Sequence, residues 1–160
     1  MTMSTTRRSF YTLALTATLA LGGFGLGLGL ADPSAAQAQE TIQVEVRAIQ
    51  LRADGADFDP ALDDLKEALQ KGFQGYGHFK ALDKAQAPLT LGGNHTFKLP
   101  GGETLEVSFR DAPQGLVRLG LKVGEKFSTS VRVSPGKTFF QAGLPYGDDG
   151  SILVLAITVK

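Results

Sequence analysis

The sequence predicts an α+β fold: one helix packed on a mostly antiparallel β-meander of about seven or eight strands. Three observations predict it. Residues Ile42, Val44, Val46 and Ala48 alternate with Gln43, Glu45 and Arg47. One stretch alone, Leu62 to Leu69, carries helical spacing together with a cap. From Phe79 onward, short apolar alternations are separated by turn chemistry.

Strict alternation makes Thr41 to Arg52 a half-buried strand, and its shift of phase at Ile49 and Leu51 suggests a bulge or a second buried face. Asp54 to Asp59 reads as a loop. Asp59-Pro60 then starts a helix, with Asp59 as N-cap and Pro60 pre-set at the first position. Leu62, Leu65 and Leu69, with Ala61 and Ala68 beside them, form its apolar stripe, and Gly72 stops it. The segment Phe79 to Pro88 has no clear period. Beyond it, Leu89/Leu91, Phe97/Leu99, Leu105/Val107/Phe109, Val117/Leu119/Leu121/Val123 and Phe127/Val131/Val133 alternate between turns such as Gly92-Gly93-Asn94, Pro100-Gly101-Gly102 and Ser134-Pro135-Gly136. The run from Ile152 is apolar through Ile157, which places it in the middle of a sheet with both faces covered and the Leu62 helix on one side.

The amino terminus reads as an export signal over residues 1–38, with a single domain following over residues 39–160. Arg7 and Arg8 precede an uncharged run from Phe10 to Leu30, and Ala36-Gln37-Ala38 has the small-x-small form of a cleavage site. Thr6-Arg7-Arg8-Ser9-Phe10 resembles a twin-arginine signal. An uncleaved anchor is the alternative, with Gly25 and Gly29 in a helix-packing spacing, but five glycines weaken that helix. The expected location is therefore periplasmic or secreted, with membrane contact only through an uncleaved amino terminus.

With 42% hydrophobic and 20% charged residues, the chain falls in the globular range. Of 16 basic and 16 acidic residues, Arg7, Arg8 and Asp32 lie in the signal, so the remainder has 16 − 2 = 14 basic and 16 − 1 = 15 acidic, a net charge of −1. That balance argues against a basic field and so against nucleic acid as a partner. The absence of cysteine excludes disulfides, thiol chemistry and thiolate-held clusters.

Candidate chemistry is sparse. His78 and His95 sit in no ligand spacing, and no nucleophile motif or phosphate loop occurs. In the acidic run Asp54, Asp57, Asp59, Asp63 and Asp64, the cap and the helix start account for three, leaving Asp54 and Asp57 as weak calcium candidates. Asn94-His95-Thr96 matches a glycosylation acceptor, which has no meaning behind a bacterial export signal, and Asp148-Asp149-Gly150 is a turn. No cofactor is expected, and no enzyme. Phe73, Tyr76, Phe79 and Tyr146, in glycine-punctuated stretches, are the candidates for stacking a ligand or a partner.

The segment Val131-Arg132-Val133-Ser134-Pro135-Gly136-Lys137-Thr138-Phe139-Phe140-Gln141-Ala142-Gly143-Leu144 resembles the strand, Gly-x-Thr turn, strand and Gly-Leu ending of the β-domain of secretins, the bacterial outer-membrane secretion gates. Ile152 to Thr158 is similar to their closing strand, and Val44-Glu45-Val46 and the Leu62 helix fall in the family's order. The chain departs where Ala142 replaces a glycine and Val159 a proline, and it lacks room for ring domains and pore hairpins. The resemblance implies a small exported envelope module, structural or interacting, with protein partners or self-association. A periplasmic module binding a small ligand or a glycan is the alternative reading, and a hydrolase using a histidine is the weakest.

Overall fold

The computed structural model describes residues 40–160. The expected export signal, with its arginine pair and cleavage site, lies outside the described residues.

Strand β1 (Thr41–Arg52) organises the molecule, pairing antiparallel with β3 (His78–Thr90) on one side and β9 (Ile152–Val159) on the other. A short parallel β2 (Asp57–Phe58) and the antiparallel β8 (Thr138–Pro145) complete a five-stranded sheet in the order β2-β3-β1-β9-β8. Strands β4 (Asn94–Lys98), β5 (Thr104–Asp111), β6 (Val117–Val123) and β7 (Phe127–Val133) form a second sheet of consecutive hairpins. The α+β class stands, but the meander divides. Between β7 and β8 the chain changes sheets through Ser134 to Lys137, where the Gly136 N–H donates to the Val159 carbonyl at 2.7 Å.

The two sheets face each other across Val44, Val46, Leu89, Leu105, Phe109, Leu119, Leu155 and Ile157. The other face of the first sheet packs Ile49, Leu51, Phe79, Val154 and Ala156 against Leu62, Leu65 and Leu69 of the helical segment. Helix, sheet and sheet make three layers. This explains β9, which has a layer on either side: Leu155 enters the sandwich and Val154 the helix side, each fully buried.

The helical segment begins as a 3-10 turn (Pro60–Leu65) and continues as α1 (Lys66–Gly72). The cap at Asp59 forms as expected, Oδ1 accepting the Ala61 N–H at 2.9 Å. Its Oδ2 also accepts the Ala81 N–H at 3.1 Å, which ties the helix start to β3. The stripe is narrower than expected, because Ala61 and Ala68 are exposed. In a 3-10 turn residues three apart eclipse, so Leu62 and Leu65 align, and the α-turn then carries the line four residues on to Leu69.

The segment without a clear period is the longest strand, β3. Phe79 and Ala81 oppose Leu51 and Ile49 on the helix side, whereas Ala85, Ala87 and Leu89 oppose Val46, Val44 and Ile42 in the sandwich. A bulge at Leu82 inserts one residue and flips the phase, which defeats a single period of two. In β1 no phase changes. Glu45, Arg47, Ile49 and Leu51 share one face, and what changes along it is whether the helix covers them.

Candidate functional site

The four aromatic candidates do not converge. Phe79 is 2% exposed and belongs to the helix-side core, with the Phe58 ring 5.3 Å away. Phe73 caps α1 and meets Phe140 edge-on at 5.9 Å, and Tyr76 is half-buried against the same core. Phe79 is thus too buried to stack a ligand, while Phe73 and Tyr76 stay partly exposed at the edge of the helix layer. Tyr146 lies apart, in a groove of about 370 Å³ lined by Pro100, Gly101, Leu144, Pro145 and Leu153. Gly101 adopts φ 93° beside the ring, a left-handed backbone that favours glycine.

The acidic loop also disperses. Asp54 lies 3.3 Å from Arg52 Nε, Asp57 lies 3.8 Å from His78 Nδ1, and Asp59 is the cap. No three His, Asp or Glu side chains among the described residues gather to hold a metal; Asp54 pairs with Arg52, and Asp57 lies beside His78. His95 is exposed, with its ring edge-on to Phe97 at 4.7 Å.

The most developed polar arrangement lies where the helix stops covering β1. Glu45 is 3% exposed. Its carboxylate accepts from Arg47 Nε at 2.9 Å and Lys160 Nζ at 2.7 Å, and Lys84 Nζ stands at 3.4 Å. Arg47 Nη1 also donates to Asp64 at 2.7 Å, joining the sheet to the 3-10 turn. Burial pushes the Glu45 carboxyl up, but the bonds from Lys160 and Arg47 and the charge of Lys84 outweigh it and hold the pKa at about 2. The bond to Asp64 raises Arg47 above its ordinary value, and the same bond lowers Asp64. A groove of about 480 Å³ opens beside this network, lined by Arg47, Leu62, Asp64, Ala81, Asp83 and Lys84. Arg47, Asp64 and Glu45 are fixed charges at neutral pH, so the network can orient a polar ligand or lock the layers but holds no proton poised for transfer. Sequence reasoning placed Glu45 on a wet face. Its partners at 84 and 160 come from both neighbouring strands, and no local signal announces them.

A second groove opens on the flank where β7 and β8 are the edge strands of their sheets. Among the described residues, β7 pairs only with β6 and β8 only with β9. Between their ends lies a volume of about 400 Å³ lined by Phe127, Gln141, Ala142, Gly143 and Pro145. Lys126, Leu144 and Pro145 also line the Tyr146 groove, so the two are continuous. At the rim, Lys126 pairs with Glu103 at 2.9 Å. The register slips between Gln141 and Leu144, with Gly143 at φ 104°. This bulge interrupts the edge against indiscriminate strand pairing.

No protein-family model, curated protein or solved structure significantly matches the chain. Among the described residues, no helix is long and apolar enough to cross a membrane.

Proposed function

We propose that the chain is an exported, non-enzymatic interaction module of the cell envelope that docks a partner on the β7–β8 flank. The observation that supports this reading is the continuous groove from Phe127 to Tyr146, flanked by two strands whose outer edges have no partner among the described residues. A partner there gains apolar contact with Phe127, Leu144 and Tyr146, and the bulge at Gly143 selects side-chain docking over simple extension of the sheet. The likeness to the secretin β-domain falls on β7, β8 and β9, the strands of this flank and their neighbour, and belongs to the same proposal.

Site-specific photocrosslinking in the producing cell tests it. A crosslinker at Gln141 should give one discrete adduct, to the partner or to a second copy of the chain, while one at Glu67 on the exposed side of α1 should give none. Equal labelling at both positions, or none at Gln141, sinks the reading. Export itself is tested by mass spectrometry, which should find an amino terminus near Gln39, and an intact Met1 species outside the cytoplasm would overturn cleavage.

A further inference from the structure

The outer face of the second sheet is covered by nothing among the described residues. Leu105, Val107, Leu119, Leu121 and Val123 enter the sandwich, so Glu106, Arg118, Lys122, Ser128, Ser130 and Arg132 lie on the opposite face. Lys98 and Thr96 of β4 join them. Simple alternation would turn Asp111 inward after Phe109, but the register slips between these two residues. The bulge brings Arg110 and Asp111 onto the outer face together. There Asp111 meets Arg118 at 3.2 Å. The Arg110 guanidinium lies over Gly120: a methyl group added at Gly120 would stand 2.7 Å from its Nε and 2.5 Å from Ser108 Oγ. Arg132 is the register partner of Arg118.

The face thus holds Lys98, Arg110, Arg118, Lys122 and Arg132 against Glu106, Asp111 and Glu125, which lines a groove with Glu106 and Lys122, or 5 − 3 = +2. The chain after the expected signal carries −1, so everything else carries −1 − 2 = −3. A near-neutral composition conceals a cationic face on an acidic body. The space between the cations is filled by serine and threonine hydroxyls. Leu91 and Leu116, the large apolar side chains most exposed among the described residues, lie outside these strands.

We propose that this face binds an acidic polysaccharide, its carboxylates paired with Arg110, Arg118 and Arg132 and its hydroxyls bonded to the serines. Guanidinium forks match carboxylate oxygens two by two. The face offers no aromatic ring on which a neutral sugar could stack and no apolar wedge to enter a bilayer, so charge and hydroxyl bonding are its means of recognition. Neighbouring strands about 4.8 Å apart present these groups as a flat array along which a linear polymer can lie. This site is separate from the β7–β8 groove, and either can fail alone.

Calorimetry of the purified protein with oligogalacturonate at low salt is the test, alongside neutral dextran, vesicles of anionic phospholipid and a single-stranded oligodeoxynucleotide. Oligogalacturonate should bind, dextran should not, and added salt should weaken the binding. The double substitution Arg110→Ala with Arg132→Ala should weaken it by about tenfold or more, through loss of charge-assisted bonds. Gly120→Ala keeps every charge but displaces Arg110, and should weaken binding severalfold. Lys71→Ala and Lys137→Ala, exposed elsewhere, should bind like the parent, with melting curves showing that each variant folds. The proposal is overturned if the arginine double variant binds like the parent, if oligogalacturonate does not bind, or if vesicles or the oligonucleotide bind as tightly.

Discussion

On the helix side of the first sheet, Glu45 is enclosed by Arg47, Lys84 and Lys160, and Arg47 reaches on to Asp64. On the outer face of the second sheet, Arg110, Lys122 and Arg132 are exposed and make no ion pair among the described residues. Both faces are read in sequence as the polar half of an alternating strand. They differ because a helix lies against part of the first and nothing lies against the second. Charges at the margin of a covered face are desolvated, and desolvated charges persist only when paired. Charges on an open face stay hydrated and need no protein partner, which leaves them available to a ligand. The first face therefore holds the layers together, and the second is free to meet something else.

The sharpest way to break this comparison is to place a charge in each layer. Val154→Asp enters the helix side and Leu155→Asp the sandwich, and each should cost more than about 4 kcal/mol, read as loss of soluble protein, because each buries an unpaired charge. If Val154→Asp melted like the parent, the helix layer would be dispensable and the covered face would not be covered. Truncation within the helix layer should cost less. Leu69→Ala is expected to lose about 2–5 kcal/mol in denaturant melts, whereas Glu67→Ala on the exposed side of α1 should lose under about 0.5 kcal/mol.

The Glu45 network is the next step down. Its carboxyl is held at about 2, below an unfolded value of about 4.3. A depressed carboxyl stabilises the fold fully above the unfolded value, and that stability fades as pH falls from about 4.3 to about 2. The loss should be on the order of 2 kcal/mol once the solvent around Lys84 and Lys160 is allowed for. Glu45→Gln should remove a similar amount at neutral pH and flatten the acid limb of the stability profile. A profile unchanged by the substitution would show that the network contributes nothing. The smallest effect belongs to the open face: Lys122→Ala should shift stability by less than about 0.5 kcal/mol, and a larger loss would mean that this face is packed after all.

Local chemistry determined much of this protein without help from the fold. Alternation along Ile42 to Ala48 marked β1, Asp59-Pro60 marked the start of the helical segment, and the unbroken apolar run from Ile152 marked β9 as a strand covered on both sides. Each of these signals is carried by residues within a turn or two of one another, where sterics, capping and burial act directly on the chain. The tertiary structure alone decided the rest. The bulges at Leu82 and Arg110 shift the phase where one strand must fit the curvature of its neighbour, and they sent Phe79 to the helix side of the first sheet and Asp111 onto the outer face of the second. The partners of Glu45 arrive from positions 84 and 160, and the cationic face gathers residues of four strands whose charges cancel in the composition. Pairing across such sequence distances is set by which sheet each hairpin joins, and the change of sheet after Val133 rests on burying two faces at once, a condition that no local pattern contains.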